Sequence, residues 1–581
     1  MEHGRFRSGL RRLERLTRRP WFSYLTLLML QARVMWWGLG SRDLTMGDEG
    51  IYFKTAYLWF EHLAVNIVWF PLYTAFLGTL LHVSTDAHVV TVLHRVLVVV
   101  ALDVLILALM RRLLPHGIAW LVAAWWAILP INFDTSYTIH LFALVPVLAA
   151  WLMLCRPRPW ARGGALGIML VATLLVRNEY VIATGLLAAI CVWWERRVAG
   201  RLEPGPRPRP ASYVASYGIP LLAGALVVLF FYGRSVYQFP ELWAASKPKH
   251  LLNMCQTYAF GYGQRHRQWK RNPWIECAEL MEREFGAPMP SLAQMIQKNP
   301  RAVLAHFRWN IRLAPTGLQV LLFDTSPIRR DPGYGDARPP RRWLAWTLSA
   351  FLAATLLAGL AFIWLERRYW WRRWLRSRAL GWLGMLSMLP VVAVVLVVER
   401  PRPAYLFAAG LFLMALTGMC VFAIARRLGM ASRLSRWVPV AMVGLVLFLP
   451  GRFYTHQGPR PLLTLYERLA PYHALFGRDD TVYLVRNFVM EVHDYVGRDY
   501  STDAFRNRDY GILDRVPAGM PLGEFLDRQG INVFYIDEEL WARLSADPRY
   551  SRFLEAPEEA GWKVLVSHRS PGGTWMLLAR R

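Results

Sequence analysis

GDEGIYFKTAY, residues 47–57, carries an acidic pair, Asp48 and Glu49, directly after the first long apolar stretch of the chain. That stretch runs from Trp21 to Gly40, and its other flank is rich in arginine: Arg5, Arg7, Arg11, Arg12, Arg15, Arg18 and Arg19. Basic flanks stay in the cytoplasm. The first segment therefore reads as an uncleaved anchor that runs outward and leaves Asp48 at the outer membrane surface. A carboxylate pair where a membrane helix emerges costs solvation free energy, which points to a use.

Working outward, the chain of 581 residues is 55% hydrophobic and 14% aromatic, with apolar runs recurring along most of its length. That composition places it in the membrane class. Its net charge of +28 does not indicate nucleic-acid binding. The arginines gather in short segments between apolar runs, as at Arg111–Arg112, 156–162, 196–209, 367–378 and 426–436, which is how cytoplasmic loops look.

About eleven spans of roughly 17–25 residues follow, beginning near Trp21, Val90, Ile118, Ile139, Gly163, Val181, Tyr213, Trp343, Gly381, Tyr405 and Val438. With the N-terminus (1–20) inside, every arginine cluster falls on the cytoplasmic side. The expected fold is a polytopic α-helical membrane domain over 21–451, with long outer loops at 41–88 and 233–342. A small extracytoplasmic α/β domain over 452–581 follows, from the β-like runs TVYLV, INVFYID, WKVLVSH and TWMLLAR with helical patterns between them. No internal repeat or inverted pair of broken helices stands out, which weakens a transporter reading.

The order of these features resembles the C-type (GT-C) membrane glycosyltransferases, the superfamily of protein mannosyltransferases, lipid A aminoarabinose transferases and their bacterial relatives. The features that carry the resemblance are the acidic pair in the first outer loop, WFPLYTAFLGTLL at 69–81, a long outer loop, and ERPRPAYLF at 399–407. It covers residues 20–425. It implies transfer of a sugar, with inversion, from a polyprenyl-phosphate donor to a glycan, lipid or protein acceptor outside the cytoplasmic (inner) membrane.

On that resemblance Asp48 falls on the catalytic acid of the first loop, with Glu49 beside it. The residues agree, because adjacent carboxylates repel and one is pushed toward a range useful for a base. Their alternative role is to cap the helix that starts near Gly50. Asp43 reads as a solvated loop acid. For the donor phosphate the candidates are Arg33, Arg95, Arg177 in the VRNEY break, and Arg400 and Arg402, since a planar guanidinium can hold two oxygens. Tyr405 corresponds to the tyrosine of the family's Arg-Tyr element, although Pro403 and Ala404 intervene here. Arg177 has an alternative as an ion pair with Glu179, and Arg33 and Arg95 as snorkelling side chains.

Lys247 and Lys249 add basic groups to the long outer loop. Cys255 and Cys277 are the two cysteines outside the spans and share an oxidising compartment in this topology, so a disulfide is expected. NPRAVLAHFRWNIRLAP (299–315) reads as an interfacial amphipathic helix on which His306 and Asn310 lie one turn apart. They are weak candidates for hydrogen-bonding a sugar, with a structural role as the alternative.

Asp134 could join Asp48 around a divalent ion, but one further acid is thin support. No metal site or obligatory cofactor is expected, and a divalent metal stays an option. The absence of a Walker loop, a GxGxxG turn or a Cys/His box argues against nucleotide-driven mechanisms. The expected partners are the lipid-linked donor, the acceptor and membrane lipids. Two rivals remain: a lipid or oligosaccharide transporter or envelope scaffold, and an O-antigen-ligase-like transferase. The first-loop GDE favours the monophosphate-sugar reading over the second.

Overall fold

The computed structural model describes residues 19–36, 39, 43, 49–84, 86–130, 138–199, 210–238, 249–327, 341–372, 378–449, 461–475, 483–484, 513, 516–571 and 573–580. The chain divides into two compact units. One comprises Met1–Gly38, Asn66–Tyr73 and Arg95–Thr455; the other comprises Leu39–Val65, Thr74–His94 and His456–Arg581.

The helices that matter below are, in chain order, α1 (Pro20–Trp36), α2 (Glu49–His62), α3 (Pro71–Leu80), α4 (Ala87–Leu113), α5 (His116–Ala127), α6 (Thr138–Leu154), α7 (Pro159–Leu175), α8 (Val181–Trp194) and α9 (Pro210–Gln238). They continue with α10 (Lys249–Arg265), α11 (Cys277–Phe285), α12 (Leu292–Lys298), α13 (Pro300–Phe323), α14 (Arg342–Leu365), α15 (Ala379–Ser387), α16 (Leu389–Val398), α17 (Phe407–Arg427) and α18 (Ala431–Phe448).

Among the described residues five helical stretches are long and apolar enough to cross a membrane: Ala87–Leu113, Ser212–Gln238, Arg342–Leu365, Ala379–Val398 and Pro403–Arg427. Thr138–Leu154, Pro159–Leu175 and Trp437–Phe448 are shorter apolar helices. The fold is thus a polytopic helical bundle. Fewer full-length spans appear than the apolar runs suggest, because breaks shorten them. At Val176 the chain leaves α7, passes through an extended Arg177 and a 3-10 turn at Asn178–Tyr180, and re-enters helix at Val181.

Small residues let the helices approach closely. A Cβ on Gly163 or Gly167 of α7 would collide with the carbonyl oxygens of Ser216 and Pro220 on α9. Lipid tails give apolar helices little reason to associate, so this backbone-to-backbone contact supplies the dispersion that holds the pair. Arg162 at the start of α7 is fully buried against Glu195, and Tyr217 of α9 donates to the same carboxylate oxygen at 2.7 Å.

In the region between α9 and α14, helices α10 to α13 form a small core around a disulfide between Cys255 and Cys277, with Cα atoms 5.5 Å apart. Tyr258, Met281, Phe285, Met295 and Val303 pack about it. Of the other cysteines, Cys191 and Cys420 are buried.

The second unit holds a four-stranded sheet of order β1-β2-β4-β3, from β1 (Tyr483–Leu484), β2 (Val533–Ile536), β3 (Trp562–Ser570) and β4 (Gly573–Arg580). β1 and β2 are parallel; β2–β4 and β4–β3 are antiparallel. All four residues of β2 are buried, because both faces of the sheet are covered. Phe534, Ile536, Met576 and Leu578 pack into one cluster with α20 (Leu522–Arg528), α21 (Glu538–Ser545) and α22 (Pro548–Glu555). Val533, Tyr535 and Leu577 face α19 (Pro461–Leu469) through Leu462, Leu465 and Leu469.

Residues 39–65 and 74–94 group with the C-terminal sheet. One expectation is corrected here: Asp43 is not a solvated loop acid. It is buried, and its carboxylate accepts the backbone N–H groups of Leu462 (3.2 Å) and Leu463 (2.9 Å), capping the N-terminus of α19. Those N–H groups have no partner within the helix, and a carboxylate there also meets the positive end of the helix dipole. Tyr466 of α19 likewise donates to Asp86 at 2.7 Å.

Candidate functional site

Two helix breaks and one strained turn build the site within the first unit. One break is the Arg177–Tyr180 turn described above. The other follows α16, where Pro401 and Pro403 remove backbone donors and exclude the preceding residues from helical conformation. Arg402 is extended (φ −59°, ψ 138°), and a 3-10 turn at Pro403–Leu406 leads into α17. The third element is the turn before α3, where Phe70 holds φ at 54°, an uncommon backbone for a bulky residue.

Cations and aromatic rings alternate across these elements. The Lys249 ammonium lies over the Trp69 ring, 2.8 Å from its centroid, and 5.7 Å from that of Phe70. Arg177 lies 5.8 Å from Phe70 on one side and 5.4 Å from Tyr405 on the other. Arg402 is 5.6 Å from the same tyrosine. Tyr405 therefore meets two guanidinium groups, and its edge contact with His140 at 4.9 Å fixes the ring further.

Arg177 is oriented by Glu179, with which it forms an ion pair, and by His140, whose Nδ1 is 2.7 Å from Nη1. A guanidinium only donates, so His140 Nδ1 accepts and a neutral ring carries its proton on Nε2. Glu399 also faces Tyr405, Arg177 and Arg402; burial, and then the nearby Glu179, push its carboxyl above the ordinary glutamate range.

Arg400 turns the other way from Arg402. Its side chain is buried and lies 5.0 Å from the Phe260 ring of α10.

His306 and Asn310, both fully buried on α13, close off the end of α16. Asn310 Nδ2 donates to the carbonyls of Val397 (2.9 Å) and Glu399 (2.8 Å), and His306 Nε2 to that of Val398 (3.0 Å). They satisfy carbonyls that the break would otherwise strand. Burial holds the His306 imidazole down at about 4; the Val398 bond opposes this, and Arg265 and Arg400 add to it.

The sequence-derived candidates thus separate. Lys249, Arg177, Arg402 and Tyr405 come together, and Arg400 lies one proline away. Arg33 does not join them: its guanidinium donates to the carbonyls of Val446 (3.0 Å) and Leu449 (3.1 Å) at the end of α18. Arg95 is buried on α4. Glu49 opens α2, while Asp48, Asp134 and Lys247 lie outside the described residues. Among the described residues no three His, Cys, Asp or Glu side chains gather as a metal site.

Trp69, Phe70, His140 and Glu399 are the site residues that sequence reasoning missed. Phe70 before Pro71 predicts extended backbone and not the positive φ found, and nothing in sequence spacing brings His140 to Arg177.

No family model matches the chain, and no curated protein matches it. Its structure is similar to that of the archaeal oligosaccharyltransferase AglB from Archaeoglobus fulgidus in complex with an inhibitory peptide and a dolichol-phosphate. That match has 12% identity over 96% of this chain and 74% of that one, at a TM-score of 0.40. It is also similar to ArnT from Cupriavidus metallidurans bound to undecaprenyl phosphate, at 15% identity over 96% of both chains and a TM-score of 0.32. A third similar structure is the Archaeoglobus fulgidus oligosaccharyltransferase in complex with Zn and sulfate, at 10% identity over 95% and 72% of the two chains and a TM-score of 0.39. At these scores the likeness carries no argument about function, which rests on the residues of this chain.

Proposed function

We propose that the chain is a membrane glycosyltransferase that moves a sugar from a polyprenyl-phosphate donor to an acceptor at the outer face of the cytoplasmic membrane. The observation that carries this reading is the series Lys249–Phe70–Arg177–Tyr405–Arg402. Three cations held in place by rings and by one ion pair are suited to a phosphate whose negative charge grows as it departs. In the proposed topology about eleven segments span, some of them broken or short, with the N-terminus inside and residues 452–581 outside.

The chemistry is one displacement. A carboxylate, assigned to Asp48 with Glu49 beside it, takes the proton of the acceptor hydroxyl. The hydroxyl oxygen forms a bond to the anomeric carbon from the face opposite the phosphate. The bond from that carbon to the phosphate oxygen breaks, and its electron pair leaves with the polyprenyl phosphate. Arg177 and Arg402 stabilise that charge, with Lys249 at the edge of the series. Glu179 and His140 position Arg177, and His306 and Asn310 hold the turn that carries Arg400 and Arg402. The C-terminal sheet domain would orient the acceptor.

The test is mass spectrometry of polyprenyl-linked lipids from cells carrying Asp48→Asn at wild-type protein abundance. Accumulation of a polyprenyl-phosphate sugar is the expected outcome, and its mass would constrain the sugar. A wild-type lipid profile, with the protein folded and its pathway active, would sink the assignment and favour a transporter or scaffold.

A further inference from the structure

Away from that site, α14 and α17 end side by side, and one helical turn builds an exposed basic surface where they meet. α14 is a long apolar helix whose buried residues are Ala345, Thr355 and Gly359. Gly359 lies against Cys420 of α17, with which a Cβ would collide. Phe351, Leu357, Leu360, Trp364 and Leu365 instead turn outward and are exposed. In a membrane that face meets acyl chains.

Arginines begin where the apolar run stops. Arg367 and Arg368 open the turn Arg367–Trp370, and Arg372 follows; all three are exposed. The turn is fastened from beneath. Trp370 is 1% exposed and meets the Phe422 ring of α17 edge-on at 5.9 Å. The Arg426 guanidinium lies over the Tyr369 ring, 3.2 Å from its centroid, and donates to Glu366 at 2.9 Å. With Trp370 turned inward, the indoles on either side face out: Trp364 is 69% exposed and Trp371 58%. Arg367 lies 5.3 Å from the Trp364 ring.

The charges at this joint do not balance. Arg367, Arg368, Arg372, Arg426 and Arg427 share one carboxylate, Glu366, and both Arg426 and Arg427 pair with it. Among the described residues no carboxylate pairs with Arg367, Arg368 or Arg372. The C-terminal end of each helix offers about half a negative charge, so about three positive charges remain uncompensated. Arginines that only marked topology could lie on a loose loop. These are held on a packed turn, between two exposed indoles, at the end of a helix that faces acyl chains.

We propose that this turn is a headgroup site for an anionic glycerophospholipid, with its phosphate on Arg367, Arg368 and Arg372 and its acyl chains along Leu357 and Leu360. A guanidinium can hold two phosphate oxygens, and indoles favour the level of the headgroups, where Trp364 and Trp371 flank the site. A zwitterionic headgroup carries its own cation into the same place and forfeits most of the attraction. The inference is independent of the transferase reading, since it invokes none of the residues assigned to the donor.

The test reconstitutes the full-length protein in phosphatidylcholine vesicles with a trace of phosphatidylglycerol that carries a photoreactive acyl chain. Labelled residues are mapped by peptide mass spectrometry after illumination. Leu222, Leu226 and Leu229 of α9 are also exposed and apolar and report unselective lipid contact. Label at Leu357 and Leu360 should exceed that on α9 by roughly 10–100-fold, three arginines contributing about fivefold each, and unlabelled phosphatidylglycerol should displace it. Replacing all three arginines (Arg367→Gln, Arg368→Gln, Arg372→Gln) should bring α14 down to the level of α9, whose own unchanged labelling reports an intact bundle. Equal labelling of the two helices in the wild type, or an excess on α14 that survives the triple replacement, would overturn the site and leave the arginines as topology markers.

Discussion

Tyr405 is the residue on which the account turns, because one ring faces both Arg177 and Arg402. Each such contact is worth about 0.5–2 kcal/mol. Tyr405→Phe keeps the ring but loses the hydroxyl's hydrogen bond to Glu399 and should lower sugar transfer less than Tyr405→Leu, for which a loss of roughly 10–100-fold is expected. A transfer assay on membranes of matched protein content distinguishes the two. His306 supports a prediction about pH. Its imidazole is held at about 4 in the fold against 6.5 ordinarily, so below 6.5 the unfolded chain binds the proton first. Stability is therefore full above pH 6.5 and lost as pH falls toward 4, by up to about 3 kcal/mol. In His306→Gln this part of the pH dependence of unfolding should disappear. Arg177 and Arg402 stand out in the sequence as phosphate candidates by residue type, and Tyr405 through the family resemblance alone. Trp69, Phe70 and His140 do not, since an aromatic in an apolar segment looks like core until its neighbours are known.

At the scale of elements, the breaks matter more than the helices. Pro401 and Pro403 announced the end of α16 in the sequence, and VRNEY announced the turn after α7. What the sequence could not show is where the stranded carbonyls would be satisfied: the donors, His306 and Asn310, lie about ninety residues away on α13. The α7–α9 contact shows the same limit. Gly163 and Gly167 stand four apart, a spacing that permits close approach, but only the structure sets the Ser216 and Pro220 carbonyls against them. Because a carbonyl cannot move aside as a side chain can, Gly167→Leu should destabilise by at least about 1–3 kcal/mol. The readout is a lowered Tm and reduced abundance in membranes, and an unchanged Tm would contradict the packing described. The four β-like runs near the C-terminus were readable from their residues, as was the pairing of Cys255 with Cys277 as an expectation. The order β1-β2-β4-β3 was not, because strand alternation specifies faces and not neighbours.

At the scale of the whole molecule, the division into units follows packing and not chain order. The segment 39–65 belongs with the C-terminal sheet, and Asp43 is the bond that shows it. Asp43→Ala removes a carboxylate from two N–H groups and should cost about 1–3 kcal/mol locally. Limited proteolysis should then cut residues 456–581 faster than in wild type; equal rates would mean that the cap contributes nothing. The proposed lipid-phosphate ligand is tested most directly by native mass spectrometry of the purified protein. With undecaprenyl phosphate and undecaprenol offered in turn, the wild type is expected to retain the phosphate-bearing lipid and release the alcohol. Arg402→Ala is expected to release both. Equal retention of the two lipids by the wild type, or undiminished retention of the phosphate by Arg402→Ala, would contradict the account.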